Sequence, residues 1–496
     1  MVTNSRPTLQ DLLARATCGQ RPDPKRSLKA SMLYHLLADP YWVWCHYHAP
    51  PDRAVDEESD YDRARMKRGV DFEEQWVREN YPDAVKVEPA WGYEALVSTV
   101  KSMMAGARAI YQPQLWSMAD ELYGRGDLLL RVDGQPSDLG DYAYFPIEAK
   151  RSSQVKPYHA AQAAAYHKAV SAIQGKTMDT FEVALPSGQQ VIRYSDHEKA
   201  LGEAIDTWRA IRSGKLQPDP RGYDKTDSPW RVWSNQVLKD RLDLTLLPDV
   251  GPAGRETIRK KLGAQSIRDL FGLSLADVTK AMGETAGKSI YYCTQAYRTG
   301  KLVIPLGGTV SIPRGRRTFA LDFETSDELA PAEAQPPHAY LAGLWDFDAE
   351  KFVRFVARGP GEEPRMFTEM LDYVGNLAGA CVYTWTSYEM GVLRDAAVRH
   401  PALATRLAAF QAVCVDLKEV VKRQVYLPVP TYSIKSVAPA LGFRWRHKGF
   451  GAFDSMVQYW KWVQGAPDDV MALAFAYHAD DLLACAHVVR ALDGLT

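Results

Sequence analysis

The sequence predicts an α/β protein with two α/β domains joined by a helical connector. Apolar, strand-like runs followed by helical patterns occur in both the first and the last third of the chain. The middle contains helical stretches around a short turn. A segment with Pro218, Pro220, Gly222 and Pro229 marks the first boundary. We therefore predict domains at residues 1–215, 216–310 and 311–496.

The composition is ordinary for a soluble globular protein. Of the 496 residues, 46% are hydrophobic and 24% charged, and the net charge is −1. No apolar run approaches the length of a membrane span, and the first residues lack the apolar core of a signal peptide. We therefore expect a cytoplasmic protein with no membrane partner.

The most informative stretch is GDLLLRVDGQPSDLGDYAYFPIEAK, residues 126–150. Two apolar runs, 127–132 and 144–150, flank a loop of Gly, Pro, Ser and Asp, which predicts a β-hairpin. In an antiparallel pair the start of one strand lies beside the end of the next, so Asp127 is expected opposite Glu148. Glu148 and Lys150 are two residues apart and project from the same face.

Two carboxylates and an amine at one end of a sheet suit phosphodiester hydrolysis. Carboxylates can hold Mg²⁺ or Mn²⁺, which polarises a phosphate and lowers the pKa of a bound water. Lys150 can orient that water or offset developing negative charge. The alternative is a surface hairpin with an ordinary Glu–Lys pair, because Glu-x-Lys alone is a weak motif.

The flanking segments add polar residues at helical spacing. Gln162 and Tyr166 lie four apart in HAAQAAAYHKAV, so they share one face of a predicted helix. Upstream, RMKRGVDFEEQWV predicts another helix, which carries Glu73.

In this order the motifs resemble the RecB-like branch of the PD-(D/E)XK nucleases. The matching positions are Gly69 to Glu73, Gly126-Asp127, Glu148-Ala149-Lys150, and Gln162 to Tyr166. The resemblance implies a restriction-endonuclease-like N-terminal domain. It implies metal ligation by Glu73, Asp127, Glu148 and the Ala149 carbonyl. It also implies a catalytic role for Lys150 beside Asp127 and Glu148, with Gln162 and Tyr166 orienting the substrate or the site.

Many RecB-like nucleases carry cysteines that bind an iron–sulfur cluster near the end of this domain. The corresponding segment here, YDKTDSPWRVWSN, contains no cysteine, and the six cysteines of the chain are scattered. We therefore expect no iron–sulfur cluster.

The middle segment contains LTLLPDVGPAGRETIRKKLG, with a Leu-Pro-x-Val-Gly turn at 248–251. This turn resembles a helix-hairpin-helix module, whose backbone amides contact phosphates without reading sequence. The resemblance makes Gly251 and Arg255 the expected contacts. A plain helical connector is the alternative.

Two segments are locally basic although the whole chain is not. Residues 241–301 hold ten Lys/Arg and six Asp/Glu, and residues 413–448 hold seven and two. Cations interleaved with aromatic residues suit a single-stranded nucleic-acid track, in which cations meet phosphates and rings stack on bases. The candidates in the second segment are Lys435, Arg444, Trp445, Arg446 and Lys448. A solvated surface with half-buried rings is the alternative.

The last third holds a second set of acidic residues. RRTFALDFETSDE is an apolar strand with Asp322 and Glu324 on one face. A later strand runs into a helix with Glu389 near its start. The long helix at the C-terminal end carries Tyr477 and Asp481, four apart on one face.

This order resembles the DEDD exonucleases of the ribonuclease H fold, and the YprB-like branch most. The resemblance implies that Asp322, Glu324 and Asp481 ligate a metal pair about 4 Å apart. It implies that Tyr477 orients the attacking water. DnaQ-type enzymes usually have Asp after an aromatic residue at the second motif, where this chain has Glu389, a longer ligand. Asp416 is then either a substitute ligand or a helix N-cap.

Together the resemblances predict a divalent-metal-dependent nuclease that acts on single-stranded or end-directed DNA, with a second ribonuclease H-fold site. A RecB-like nuclease, a helical connector and a YprB-like domain form an architecture known in bacteria, sometimes continued by a helicase. No Walker A motif occurs here, so we expect no ATP use, and a helicase partner would be a separate chain.

Two alternatives stay open. One is an RNA-processing nuclease that uses the C-terminal site. The other is a nucleic-acid-binding component of a repair or defence complex with one inactive domain. Catalysis predicts that Glu73, Asp127 and Glu148 converge within coordination distance of one point, and that Asp322, Glu324 and Asp481 do the same. A binding-only domain predicts a blocked or splayed cluster.

Overall fold

The computed structural model of the chain describes residues 6–53, 55–56, 60–326, 337–447, 449–493 and 495. The chain divides into two compact units. Unit 1 consists of Met1–Asp56, Arg63–Arg221 and Lys225–Trp233, and unit 2 of Glu57–Asp62, Gly222–Asp224 and Ser234–Thr496. In the described part of the chain, no helix is both long and apolar enough to cross a membrane.

The chain up to residue 212 alternates helices and strands. The helices are α1 (Leu9–Thr17), α2 (Leu33–Ala38), α3 (Pro40–His48), α4 (Asp60–Asn80), α5 (Tyr93–Met104), α6 (Pro157–Gln174) and α7 (Ser195–Arg212). The strands are β1 (Leu28–Lys29), β2 (Val85–Lys86), β3 (Ala109–Tyr111), β4 (Gln114–Ser117), β5 (Leu122–Arg125), β6 (Leu128–Ser137), β7 (Gly140–Ala149), β8 (Thr180–Leu185) and β9 (Gly188–Arg193). One sheet has the order β2-β3-β6-β7-β8-β9, and another has the order β1-β5-β4.

The predicted hairpin is confirmed in both pairing and register. β6 and β7 are antiparallel, and Leu128 pairs with Ile147, which places Asp127 beside Glu148. Both strands extend further toward the turn than we predicted. Their outer residues, such as Asp133 and Gln135, are partly or fully exposed, so this part of the hairpin has no apolar pattern to reveal it.

The apolar run of β6 is continuous because the strand is buried on both faces. Leu128 packs in a cluster with Ile147 and Val77 of α4, whereas Leu129 faces a second cluster with Leu96 of α5 and Ala163 of α6. Successive side chains of a strand point to opposite faces, so a sheet covered on both sides needs apolar residues at every position.

A helical stretch follows in the middle of the chain. Its helices are α8 (Arg231–Arg241), α9 (Pro252–Leu262), α10 (Leu275–Met282) and α11 (Glu284–Thr299). Leu238, Ile258 and Ile290 belong to one buried cluster that holds these helices together. Gly251 is the N-cap of α9, at the end of the predicted turn.

The C-terminal part of unit 2 is built on a mixed sheet. Its strands are β10 (Arg317–Ser326), β11 (His338–Asp346), β12 (Lys351–Val356), β13 (Ala380–Thr384) and β14 (Cys414–Asp416), in the order β12-β11-β10-β13-β14. β11 runs antiparallel to β10 and to β12, and β13 runs parallel to β10 and to β14. The helices are α12 (Glu363–Val374), α13 (Tyr388–Arg399), α14 (Ala404–Gln411), α15 (Leu417–Gln424), α16 (Ile434–Ala440), α17 (Ala452–Val463) and α18 (Ala472–Leu492).

The alternation along β10 decides where its acidic residues point. Phe319, Leu321 and Phe323 are buried in one cluster, together with residues of α12 and α13. Ala320 belongs to the cluster on the opposite face, which also contains Leu482 of α18. Asp322 and Glu324 share the parity of Ala320, so they project toward the α18 side of the sheet.

Candidate active sites

The N-terminal cluster is assembled by the hairpin itself. Asp127 Oδ2 accepts a hydrogen bond from the Ala149 backbone N–H at 2.8 Å, and Glu148 Oε1 accepts one from the Asp127 N–H at 3.1 Å. Lys150 Nζ donates to Glu148 Oε2 at 2.8 Å and lies 3.6 Å from Asp127 Oδ2. The structure therefore brings together the three hairpin residues that we predicted.

Glu73 reaches the same place from α4. Gln112 Nε2 donates to Glu73 Oε1 at 3.1 Å. A cavity of about 170 Å³ contains Glu73, Asp127, Gln162 and Tyr166 in its wall. Four of the predicted N-terminal site residues thus line one small cavity.

Tyr166 is held by its hydroxyl group. It donates to the Arg125 carbonyl oxygen at 2.9 Å and receives a long hydrogen bond, 3.4 Å, from Gln162 Nε2. Gly124 makes this position available, because a Cβ at residue 124 would lie 2.8 Å from Tyr166 Cε1. Sequence reasoning missed Gly124, since the clash arises between β5 and α6, which are distant in the chain.

Burial and like charge dominate the electrostatics of this cluster. Burial and the neighbouring Asp127 raise the pKa of Glu148 to about 8 and that of Glu73 to about 7. Burial opposes the charged form of Lys150, but the charges of Asp127 and Glu148 outweigh it and raise the Lys150 pKa. The ammonium group therefore stays charged and offsets part of the acidic charge.

The C-terminal cluster combines one strand with two helices. β10 supplies Asp322 and Glu324, α18 supplies Asp481, and α13 supplies Glu389, which is only 5% exposed. Burial, followed by the charges of Glu324, Glu389 and Asp481, raises the pKa of Asp322 well above its usual range. The charge of Glu389 therefore acts on Asp322, and its role as a metal ligand stays a prediction.

The other carboxylates of this cluster are shifted in the same direction. Burial and Asp481 raise the pKa of Glu324 to about 8, and burial raises that of Glu389 to about 7. The pKa of Asp481 is also raised, mainly by burial. Burial is thus the largest cause of the raised pKa in all four carboxylates, and each of them holds its proton to a higher pH than usual.

Hydrogen bonds hold the helical members of the cluster in place. Trp445 Nε1 donates to Asp481 Oδ1 at 2.7 Å, and Lys435 Nζ donates to the Tyr477 hydroxyl at 2.6 Å. Thr386 Oγ1 lies 3.3 Å from Glu389 Oε2. Asp416 is the N-cap of α15, where it accepts from the Glu419 N–H at 3.0 Å. Of its two predicted roles, the helix cap is thus the one it fills.

His478 supports the acidic strand and was not found from the sequence. Its Nε2 lies 3.1 Å from the carbonyl oxygen of Asp322, and burial lowers the His478 pKa to about 4, so the ring is neutral. Gly343, opposite Asp322 on β11, permits this approach, because a Cβ there would lie 2.4 Å from His478 Cε1. A single histidine in an apolar helix carries no signal for such a contact.

The residues predicted to contact nucleic acid lie in different environments. Lys435 and Trp445 lie at the C-terminal carboxylate cluster, where they donate hydrogen bonds to Tyr477 and Asp481. Arg446 is paired with Asp480, to which its Nε donates at 2.7 Å. Arg444 is exposed, and Lys448 lies outside the described residues.

Arg255 is not placed as we expected for a phosphate contact. Its side chain is 5% exposed, and its Nη1 lies 3.4 Å from Asp243 Oδ2. A buried guanidinium paired with a carboxylate is not available to a phosphate in solvent, so this prediction is wrong for the arrangement described. Gly251 remains accessible at the exposed start of α9.

The predicted convergence at coordination distance is not seen. Among the residues that the structure describes, no group of three or more carboxylate, imidazole or thiol side chains is arranged so that it could hold a metal ion. Oxygens of Asp127, Glu148 and Asp481 are instead engaged by protein donors. The donor type of both clusters suits Mg²⁺ or Mn²⁺, but their side chains must rearrange to bind either ion.

A comparison with protein families places the C-terminal cluster in a known context. A family model described as the RNase_H superfamily matches residues 319–493, which include Asp322, Glu324, Glu389 and Asp481. No curated protein matches the sequence. Members of this superfamily are generally nucleases and typically use divalent metal ions. Residues 319–493 therefore form a ribonuclease H-like domain, which indicates nuclease-type activity on nucleic acid.

Proposed function

We propose that this chain is a divalent-metal-dependent nuclease that hydrolyses phosphodiester bonds of DNA, acting on single strands or ends. The observation that carries the proposal is a set of four carboxylates in the ribonuclease H-like domain, of which Glu324 and Glu389 are buried and Asp322 and Asp481 are partly buried. Buried carboxylates that raise each other's pKa are costly for stability, and such groups concentrate at functional sites.

At the C-terminal site, Asp322, Glu324 and Asp481 would hold Mg²⁺ or Mn²⁺, with Glu389 as the further acidic member. The bound ion would polarise the phosphate and lower the pKa of a water. Burial and Asp481 raise the pKa of Tyr477, so its phenol keeps its proton and can orient that water. Lys435 fixes the position of the phenol through its hydrogen bond.

We propose a second site at the N-terminal cluster, of the RecB-like PD-(D/E)XK type. Glu73, Asp127, Glu148 and the Ala149 carbonyl would be its ligands. Lys150 is partly buried and charged, and its Nζ lies 2.8 Å from Glu148, so it can stabilise negative charge that develops on the phosphate. Gln162 and Tyr166 line the same cavity and would orient the substrate.

A binding role without catalysis is the second candidate, and one observation favours it. The described carboxylates do not form a group ready to hold a metal ion. A domain that only binds nucleic acid, in a repair or defence complex, has no need of such a group. An RNA substrate for the C-terminal site is a third outcome that the same experiment detects.

The test is cleavage of end-labelled single-stranded DNA, duplex DNA and RNA with Mg²⁺ or Mn²⁺. Wild type, Lys150→Ala, Asp322→Asn and the double variant are compared, with Lys199→Ala as an exposed lysine control. Loss of separate activities in the two single variants supports a dual nuclease. Loss in one variant assigns the reaction to that cluster, and RNA-only cleavage reassigns the substrate. Full activity in the double variant would exclude both assignments.

Metal binding is measured independently by calorimetric titration of Mn²⁺ into the same proteins. Binding that is weakened by Asp322→Asn or by Glu148→Gln supports rearrangement of the carboxylates into ligands. Absence of binding in wild type would support the binding-only candidate.

A further inference from the structure

Trp91 is an exposed aromatic residue at the rim of the N-terminal cavity. Its side chain is 49% exposed, so part of the indole ring is open to solvent. It lines the cavity of about 170 Å³ that contains Glu73 and Asp127. It lies in the loop directly before α5, far in sequence from both acidic motifs.

Trp91 also lines a second, larger cavity. This cavity has a volume of about 630 Å³, and its wall includes Arg21, Pro89 and Tyr93. The indole ring therefore stands between a large open cavity and the small acidic one. A ligand that extends from one cavity into the other must pass this ring.

Two cations accompany the ring. Lys29 Nζ lies 5.2 Å and Arg125 Cζ lies 4.7 Å from the centre of the indole, and both residues line the small cavity. Lys29 ends β1 and Arg125 ends β5, and these parallel strands bring the two side chains to the same end of their sheet. Neither cation is in an ion pair with a described carboxylate, so their charges are available to an anionic ligand.

The volumes of the two cavities limit which part of a nucleic-acid strand each can hold. Pockets that enclose a small organic ligand measure about 300–1,000 Å³, and the large cavity falls in this range whereas the small one does not. The small cavity can admit a phosphate beside the carboxylates but not a base as well. A nucleotide next to that phosphate must therefore lie outside the small cavity, and Trp91, which lines both cavities and is half exposed, offers it a stacking surface.

We propose that Lys29, Trp91 and Arg125 form a positioning site for single-stranded nucleic acid. A base stacks on the Trp91 ring, the two cations contact the flanking phosphates, and the strand passes from the large cavity to the acidic one. The inference deepens the function proposed for the N-terminal cluster and rests on it. They are positioning residues, because the base and the phosphates that they hold are those that flank the reacting phosphate.

The test is binding of short fluorescent dT and U oligonucleotides, followed by anisotropy in EDTA over a series of KCl concentrations. Trp91→Ala is expected to weaken binding about tenfold without changing the salt dependence, since stacking carries no charge. Trp91→Phe should restore most of the affinity. Lys29→Ala and Arg125→Ala should each reduce the slope of log K against log[KCl] by about 0.7. Arg193→Ala, an exposed arginine that lines neither cavity, is the matched control and should change neither quantity.

Unchanged affinity in Trp91→Ala overturns the inference, as does an equal loss of salt dependence in Arg193→Ala. Thermal unfolding monitored by circular dichroism verifies that each variant is folded. We expect Trp91→Ala to fold normally because the ring is half exposed. In cleavage assays Trp91→Ala should raise KM more than it lowers kcat. If wild type binds strands through Trp91 but Lys150→Ala retains full cleavage, the positioning site stands and the proposed N-terminal activity fails.

Discussion

The two carboxylate clusters differ in how their negative charge is balanced. In the N-terminal cluster, Lys150 Nζ lies 2.8 Å from Glu148 and 3.6 Å from Asp127. In the C-terminal cluster, Lys435 forms no ion pair with the four carboxylates among the described residues; it is hydrogen-bonded to Tyr477, and its charge lowers the pKa of Glu324 and Asp481 only against a larger effect of burial. The imidazole nearest Asp322, that of His478, is neutral.

This difference shows that similar acidic clusters can depend on an added cation to different degrees. A like charge nearby disfavours ionisation, and an opposite charge restores it. The N-terminal cluster carries its own counter-charge two residues from Glu148, on the same strand. In the C-terminal cluster the charge of Lys435 acts on Glu324 and Asp481 without an ion pair to either, so we expect the stability and chemistry of this cluster to depend more strongly on a divalent ion.

The largest expected effect concerns the two tyrosines. Tyr477→Phe removes the hydroxyl that accepts from Lys435 within the C-terminal cluster. We expect about a hundredfold loss of cleavage by that cluster, the scale of removing a group that positions a reacting water. Tyr166→Phe should cost less, because its hydroxyl donates to a backbone carbonyl of β5, whereas the Tyr477 hydroxyl accepts from the charged Lys435. The two losses are measured by steady-state kinetics. Each tyrosine variant is assayed in a protein whose other cluster is disabled, by Asp322→Asn for Tyr166→Phe and by Lys150→Ala for Tyr477→Phe. A larger loss for Tyr166→Phe would contradict the proposed difference between the two clusters.

The next effect tests how each cluster is packed. Gly343→Ala places a methyl group 2.4 Å from His478, and Gly124→Ala places one 2.8 Å from Tyr166. Overpacking of this kind costs about 1–3 kcal/mol, and we expect Gly343→Ala to lie at the upper end because its contact is closer. Gly202→Ala, in α7 with nothing within 4 Å, is the control and should be neutral or slightly stabilising. Urea unfolding gives the three free energies, and equal values would refute the packing argument.

The third effect is a dependence of stability on pH. Glu148 and Glu324 have an ordinary pKa of 4.5 that is raised to about 8, chiefly by burial. A raised pKa means that the folded state holds the proton more tightly than the unfolded state. The resulting stability is complete below pH 4.5 and is lost as pH rises through 8. In EDTA the thermal midpoint should therefore fall across this window, and Mg²⁺ should restore it most at the alkaline end. Glu324→Gln should reduce the slope, and an unchanged slope would contradict the assignment.

The smallest effect separates the clusters directly. Asp322→Asn removes the carboxylate on which the charges of Glu324, Glu389 and Asp481 all act, so we expect a rise in the thermal midpoint of about 2–4 °C, equivalent to about 1 kcal/mol, in EDTA at alkaline pH. Glu148→Gln should raise the midpoint less, because Lys150 loses its closest partner. Differential scanning calorimetry resolves the two midpoints. A larger rise for Glu148→Gln would mean that Lys150 does not balance the N-terminal cluster.

Local features of both sites could be predicted because they depend on short-range periodicity. The register of the hairpin followed from two apolar runs and a turn, and it was confirmed by the pairing of Leu128 with Ile147. The pairs Gln162–Tyr166 and Tyr477–Asp481 followed from helical spacing, and each lies within one helix. Glu389 was expected at the C-terminal site despite its departure from the usual aspartate; its charge contributes to the raised pKa of Asp322, and its role as a ligand stays a prediction.

Other features could not be predicted because they depend on contacts between distant segments. Arg255 lies in a basic stretch that favoured a phosphate contact, yet the fold buries it against Asp243. Trp445 looked like a stacking residue of a basic track, whereas its indole donates to Asp481. Basic and aromatic composition indicates that a residue can bind nucleic acid, but the residue's partners in the folded chain decide whether it is free to do so.

The sequence by itself determined the order of the motifs, the hairpin register and the residues that share a helix or strand face. These properties follow from backbone periods of 2 and 3.6 residues, which act over a few positions. Only the tertiary structure decided which carboxylates raise each other's pKa, that His478 supports Asp322 from 156 residues away, and that Trp91 stands between two cavities. Burial and Coulomb energy depend on distance in space, and folding sets that distance independently of separation along the chain.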